Sequence, residues 1–126
     1  MVSMQPRGFT LIELLVVLAI VGTLLSIAAP RYFHSVDASK EAVLAENLRI
    51  ARKAIDQFYA DSGRYPAALD ELVARRYLRA LPVDPVAGNS TEWTLVTPPV
   101  GSESGIADLR SRARGSGRNG LPYAQW

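Results

Sequence analysis

Few residues in this chain have types and surroundings suited to chemistry. The most conspicuous is Glu13, a lone carboxylate in a run that is otherwise almost wholly apolar from residue 9 to 29. A carboxylate in hydrocarbon costs on the order of 2.5–3.5 kcal/mol at a bilayer centre. Three arrangements remove that cost: protonation, a shallow position among headgroups, or a cation supplied by another chain. The third would make Glu13 an assembly residue. His34 is the only histidine and there is no cysteine, which excludes His-pair zinc sites, thiol chemistry and disulfides. With no nucleophile beside it, His34 reads as a solvated side chain just past the apolar run.

Two glycine motifs fail on context. Gly115-Ser116-Gly117-Arg118-Asn119-Gly120 matches the letters of a dinucleotide loop, but Leu121-Pro122 follows where that fold opens a helix. Gly101-Ser102-Glu103-Ser104-Gly105 has glutamate where a nucleophile elbow needs serine. With no nucleophile–base pair, metal cluster or phosphate cradle, the chain does not read as an enzyme. Four arginines between residues 110 and 118 sit among glycine and serine, a pattern able to follow phosphates. Without aromatics to stack bases, and with a net charge of only +2, the stretch reads as a solvated or subunit-contacting loop. Nucleic acid is not expected as a partner.

The elements that carry these residues follow from periodicity. Residues 9–29 as a helix reach about 31 Å, one hydrocarbon core, and Pro30 closes the run. Ser26, Ala28 and Ala29 also resemble a signal-peptidase site, so a removed signal is the competing reading. Beyond Pro30, which marks a boundary or kink, Leu44, Leu48, Ala51, Ile55 and Phe58 form one stripe at helical period. Glu46/Arg49 and Arg52/Asp56 are spaced for intrahelical pairs, and the stripe is expected to pack against the chain's own C-terminal part. Gly63 ends the helix. A short helix is predicted over residues 67–76, with Leu69, Leu72 and Val73 inward. Leu81-Pro82-Val83-Asp84-Pro85 must be extended or turning. Residues 93–97 and, more weakly, 106–109 read as strands, and residues 110–120 as loop. The expected class is α+β: a long N-terminal helix packed on a short helix and a small antiparallel sheet.

Those residues carry a resemblance. Gly8-Phe9-Thr10-Leu11-Ile12-Glu13, preceded by Arg7 and followed by Pro30, resembles the type III signal of type IV pilins and type II secretion pseudopilins. Further along, Asp61-Ser62-Gly63-Arg64-Tyr65-Pro66 resembles the family's Asp-Asn-Gly-Arg-Tyr-Pro turn. Leu81-Pro82-Val83-Asp84-Pro85 resembles its Leu-Pro-x-Asp-Pro segment. Gly88-Asn89 falls where the family often has Trp-Gly-Asn, with Val86-Ala87 in place of the tryptophan. The chain ends on Trp126, as many major pseudopilins end on an aromatic, and lacks the cysteines that commonly close a loop in major pilins. The likeness is good from residue 7 to about 89 and thin beyond.

The resemblance implies a division into a leader (1–8), a transmembrane and assembly helix (9–29) and a periplasmic pilin-like domain (30–126). It implies cleavage by a prepilin peptidase after Gly8 and methylation of the new terminus, Phe9. Glu13 would then meet the Phe9 amine of an adjacent subunit, attracted strongly in low dielectric. Gly22 and Pro30 bracket residues 23–29 as the place where the helix would loosen during assembly. The implied partners are further copies of the chain, other pseudopilins, the peptidase, an inner-membrane assembly platform and membrane lipid. A minor type IV pilin, and a signal-anchored periplasmic binding domain, are the alternatives. One departure matters. Major pseudopilins bind calcium in an aspartate-rich C-terminal loop, whereas Leu109-Arg110-Ser111-Arg112-Ala113-Arg114-Gly115-Ser116-Gly117-Arg118 is basic. Calcium takes six to eight oxygens and favours negative charge, so the calcium site is not carried over and no cofactor is expected.

Overall fold

A computed structural model describes residues 8–99 and 104–126. Arg7, with the leader before Gly8, and Gly101, Ser102 and Glu103 of the elbow-like pentapeptide lie outside the described residues. The described elements run α1 (Leu11–Ser62), α2 (Leu69–Ala74), β1 (Thr94–Val96) and β2 (Asp108–Arg110), then a 3-10 turn at Tyr123–Gln125. This is the expected α+β class. The chain divides into two compact units, one ending at Val36 and the second Asp37–Trp126; α1 contributes residues to both.

In the first unit α1 is helical through Pro30. A proline removes its own donor and leaves the carbonyl four residues earlier, that of Ser26, without its usual partner. Near that point Ser26 Oγ donates to the Gly22 carbonyl and Thr23 Oγ1 to the Ala19 carbonyl, each at 2.8 Å. Such side-chain bonds to the i−4 carbonyl slightly weaken and bend a helix. One proline flanked on both sides by intact ladder therefore softens α1 without ending it.

The second unit has the hydrophobic core. Leu44, Leu48, Ala51, Ile55 and Phe58 are all buried, joined by Leu69, Leu72, Leu78, Trp93, Ile106 and Leu109. The α1 stripe thus packs on its own C-terminal part, as its period indicates. On the outer side Arg49 and Glu46 form the expected ion pair at 2.6 Å. Arg52 does not complete the expected pair with Asp56. It reaches across the fold to Asp108, Leu109 and Trp126 instead, because three acceptors converge on one guanidinium there.

α1 ends at Ser62, with Gly63 at φ +70° in the left-handed conformation that stops a helix. The turn after it is clamped. Arg64 pairs with Glu71 and lies 5.0 Å from the Phe58 ring centroid, while the Ala67 amide donates to Glu71 Oε2 at 2.8 Å. α2 is shorter than predicted at both ends. Its N-cap, Ala68, is extended (φ −150°). Its exit is a Schellman turn, in which Arg76 N–H donates to Val73 O and Tyr77 N–H to Leu72 O. Arg76 takes the left-handed position, at φ 65°. An arginine there carries none of the glycine signal that marks such an exit in sequence.

The two strands pair antiparallel, Thr94 with Arg110, Leu95 with Leu109 and Val96 with Asp108. β2 lies toward the C-terminus of its predicted span because the Ile106 amide is taken by the Pro66 carbonyl at 2.9 Å, outside the ladder. Within the segment predicted as loop, Arg110 belongs to β2 and Ser116 bridges to Pro122.

The clamp yields a pH prediction. Bonds from Arg64, then from the Ala67 amide, pull the Glu71 carboxyl from 4.5 down to about 2. A depressed carboxyl stabilises the fold fully above its unfolded value and loses that contribution as pH falls through its folded one. The unfolding midpoint of Glu71→Gln should therefore lie below that of the wild type near neutrality. The gap should close between pH 4.5 and about 2, as read by circular dichroism in detergent. A gap unchanged across that window would contradict the clamp.

Candidate processing and assembly site

Gly8 and Phe9 precede the first residue of α1 and are both exposed, Phe9 at 82%. A peptidase needs an accessible main chain, and Gly8 and Phe9 lie exposed outside any helix or strand. A Cβ built on Gly8 would meet nothing within 4 Å, so nothing in the fold itself asks for glycine there.

Thr10 and Glu13 form a reciprocal cap. The Glu13 amide donates to Thr10 Oγ1 at 3.2 Å, and the Thr10 amide to Glu13 Oε2 at 3.3 Å. Two of the donors that a helix start leaves unpaired are thereby satisfied, and the carboxylate sits at the positive end of the helix dipole. This is a fourth arrangement for Glu13 beyond the three drawn from its charge. Its signal in sequence is the spacing Thr-x-x-Glu. Pro30 lies on the same helix seventeen residues further on and is not brought to this cluster.

Every residue of α1 as far as residue 35 is exposed, including Leu18, Leu24 and Ile27. Among the described residues this is the one helix long and apolar enough to cross a membrane. Gly22 has open space around it, although glycine weakens a helix by about 1 kcal/mol relative to alanine. Just past Pro30, the exposed rings of Tyr32 and Phe33 meet edge to face at 5.8 Å, between Arg31 and His34. Aromatics beside an arginine are the usual furnishing of a membrane–water boundary. The pair's signal in sequence is its place directly after the apolar run.

The second region of interest is the C-terminal segment. Asp84, fully buried, accepts from the Val86 and Ala87 amides at 3.0 Å and from Ser111 Oγ. The Leu-Pro-x-Asp-Pro segment is thus tied to the residue after β2, while the Trp93 indole donates to Pro82 O at 2.9 Å. Glu41, at 9% exposure, accepts from Tyr123 Oη at 2.7 Å and from the Arg118 amide at 3.1 Å. Of the four arginines, Arg112 pairs with Glu92 at 3.0 Å on the surface.

Comparison with known proteins agrees with this geometry. The family described as the prokaryotic N-terminal methylation motif matches residues 3–29. The chain is 30% identical to the type II secretion system core protein G of Klebsiella michiganensis, over 94% of this chain and 87% of that protein. It is 30% identical to the core protein G of Escherichia coli, over 85% and 81%. It is 31% identical to the fimbrial protein EcpC of Eikenella corrodens, over 95% and 81%. No solved structure matches significantly. The chain belongs to the type II secretion system core protein G family, pseudopilins of the type IV pilin-like superfamily.

The Asp84 site is testable. Ser111→Ala should leave a buried carboxylate oxygen short of its hydroxyl donor and destabilise the fold by about 1.5–3 kcal/mol. Arg112→Ala, which removes an exposed pair, should cost less than about 1 kcal/mol. Urea unfolding of both variants in detergent checks the contrast; equal losses would contradict it.

Proposed function

We propose that this chain is a filament subunit of a type II secretion system, made as a precursor and cut between Gly8 and Phe9 by a prepilin peptidase, which then methylates Phe9. Residues 9–29 hold the subunit in the inner membrane, with residues 30–126 in the periplasm. The assembly platform then lifts subunits into a helical filament whose interior is made of the apolar helices, alongside other pseudopilins. Head-to-tail addition of this kind leaves an open, extendable end. The role is structural rather than catalytic.

One observation carries this reading. Among the described residues the apolar half of α1 is left open, with Leu14, Val16, Leu18, Leu24 and Ile27 all exposed. Lipid covers such a helix before assembly and neighbouring copies cover it afterwards. Glu13 is suited to the exchange. In the single subunit its carboxylate caps Thr10, and cleavage at Gly8 would create an amine one residue from that cap. A neighbour's Phe9 amine then offers the cap carboxylate a full charge in place of an amide. A misregistered subunit would leave Glu13 among apolar side chains without that cation, so the pair selects register. The softened stretch at residues 23–29 supports local loosening as the helices pack, as Ser26, Thr23 and Pro30 each weaken the ladder there.

Because the chain has no cysteine, paired cysteine substitutions in residues 9–29 report subunit contacts without background. In cells with the secretion machinery, oxidation should give a ladder of multimers. Glu13→Ala should still be shortened to the mature size but lose most of the ladder. A full ladder from Glu13→Ala would overturn the register role. A cysteine-pair chain with Glu13 intact that never cross-links beyond a monomer would overturn filament assembly.

A further inference from the structure

The calcium that the family resemblance implies can be tested against the donor set of the C-terminal segment. Residues 111–122 contain no aspartate or glutamate and three arginines, Arg112, Arg114 and Arg118. Three carboxylates that approach from elsewhere are already engaged. Glu41 takes the Tyr123 hydroxyl and the Arg118 amide. Asp84 takes Ser111 and two amides, and Asp108 takes Arg52 at 2.8 Å and the Leu109 amide at 2.7 Å. Three backbone carbonyls of the segment are engaged as well. Gly115 O accepts from the Tyr123 amide, Gly117 O from Gly120, and Leu121 O from Gly117 and from the Trp126 indole. Among the described residues no three carboxylate, imidazole or thiol groups gather as a metal site. A cation wanting six to eight oxygens and net negative charge does not fit the residues present.

We infer that this chain closes its C-terminal segment without a cation, by gripping it from α1 at two points, Glu41 and Arg52. The two residues are eleven apart, close to three helical turns, so they lie on one face of α1. Their chemistry is complementary. Glu41 is acceptor only and captures the donors of the segment, the Tyr123 hydroxyl and the Arg118 amide. Arg52 is donor only and captures its acceptors: Asp108, the Leu109 carbonyl at 3.2 Å and the terminal Trp126 oxygen at 2.6 Å. Between the two grips the segment folds on itself. The Trp126 ring packs against Tyr123 at 5.3 Å and over Gly117, where a Cβ would come within 2.3 Å of the indole. The bond to Glu41 and partial burial push the Tyr123 phenol up to about 12, the mark of a hydroxyl held as a donor to a carboxylate. In this arrangement fixed side chains do for the segment what a bound divalent ion does in an aspartate-rich loop. The inference rests on geometry within one chain and stands whether or not the chain polymerises.

The arginines at 110, 112, 114 and 118 supply the probe, since trypsin cuts after them when the segment opens. Full-length chain in detergent micelles would be digested in excess EDTA and in excess calcium chloride, and the cuts located by mass spectrometry. Wild-type cleavage in residues 110–118 should proceed at the same rate in both. A calcium ion present at 100 times its Kd would instead suppress opening about 100-fold. Glu41→Ala should be cut about tenfold faster or more, and Tyr123→Phe several-fold faster, from loss of bonds to a charged group; calcium should restore neither. Slower wild-type cleavage in calcium would overturn the inference. So would wild-type rates in both variants. If Glu41→Ala fails to fold, Tyr123→Phe decides alone, because it removes one hydroxyl and leaves the ring.

Discussion

An apolar helix whose large side chains are exposed must find a covering for them, and much else in this molecule depends on that constraint. From Phe9 to Ile27 the large apolar side chains of α1 all face outward. At about 1 kcal/mol or more for each that is withdrawn from water, the sum is on the order of ten kcal/mol. No rearrangement of the remaining fold competes with a term of that size, since whole domains are stable by only about 5–15 kcal/mol. Lipid or neighbouring helices are the available sinks. The polar features of this stretch, the Thr10–Glu13 cap and the hydroxyl bonds of Thr23 and Ser26, are those that keep backbone and side-chain groups satisfied without water.

The second unit answers a different problem, that of a small core which must hold a long C-terminal segment with little regular structure. Among the described residues it has only two short strands. Polar side chains, some buried and some at the surface, supply the missing order. Asp84 ties two distant stretches together, Arg64 and Glu71 clamp the turn after α1, and Glu41 and Arg52 hold the last residues of the chain. Asp84 and Glu41 are both buried and satisfied, so burial there specifies an arrangement instead of merely costing desolvation.

Legibility in the sequence followed the range of the interaction. The stripe from Leu44 to Phe58 was readable because its period is local and its amplitude strong. Gly63 was readable because glycine is the ordinary solution to a left-handed helix exit. α2 was overextended because its own exit uses Arg76, an arginine in the same conformation, for which composition gives no warning. Arg52 was assigned to its near neighbour Asp56 by spacing, yet its partners are 56 to 74 residues away. The signals at Thr-x-x-Glu and at Tyr32-Phe33 are local, but the charge of Glu13 and the apolar run beside them dominate the pattern. Glu41 had no signal at all: one more glutamate on a helix face is distinguished only by what the chain's end brings to it.

The central claim is that this chain is processed between Gly8 and Phe9 and thereby made competent to assemble. The most direct measurement is the intact mass, with the N-terminal residue, of the protein extracted from native membranes. A chain beginning at N-methylated Phe9 is the predicted result. A chain beginning after Ala28 or Ala29 would mean that the apolar helix is discarded, and an intact Met1 would mean a plain anchor. Either of those would contradict the claim.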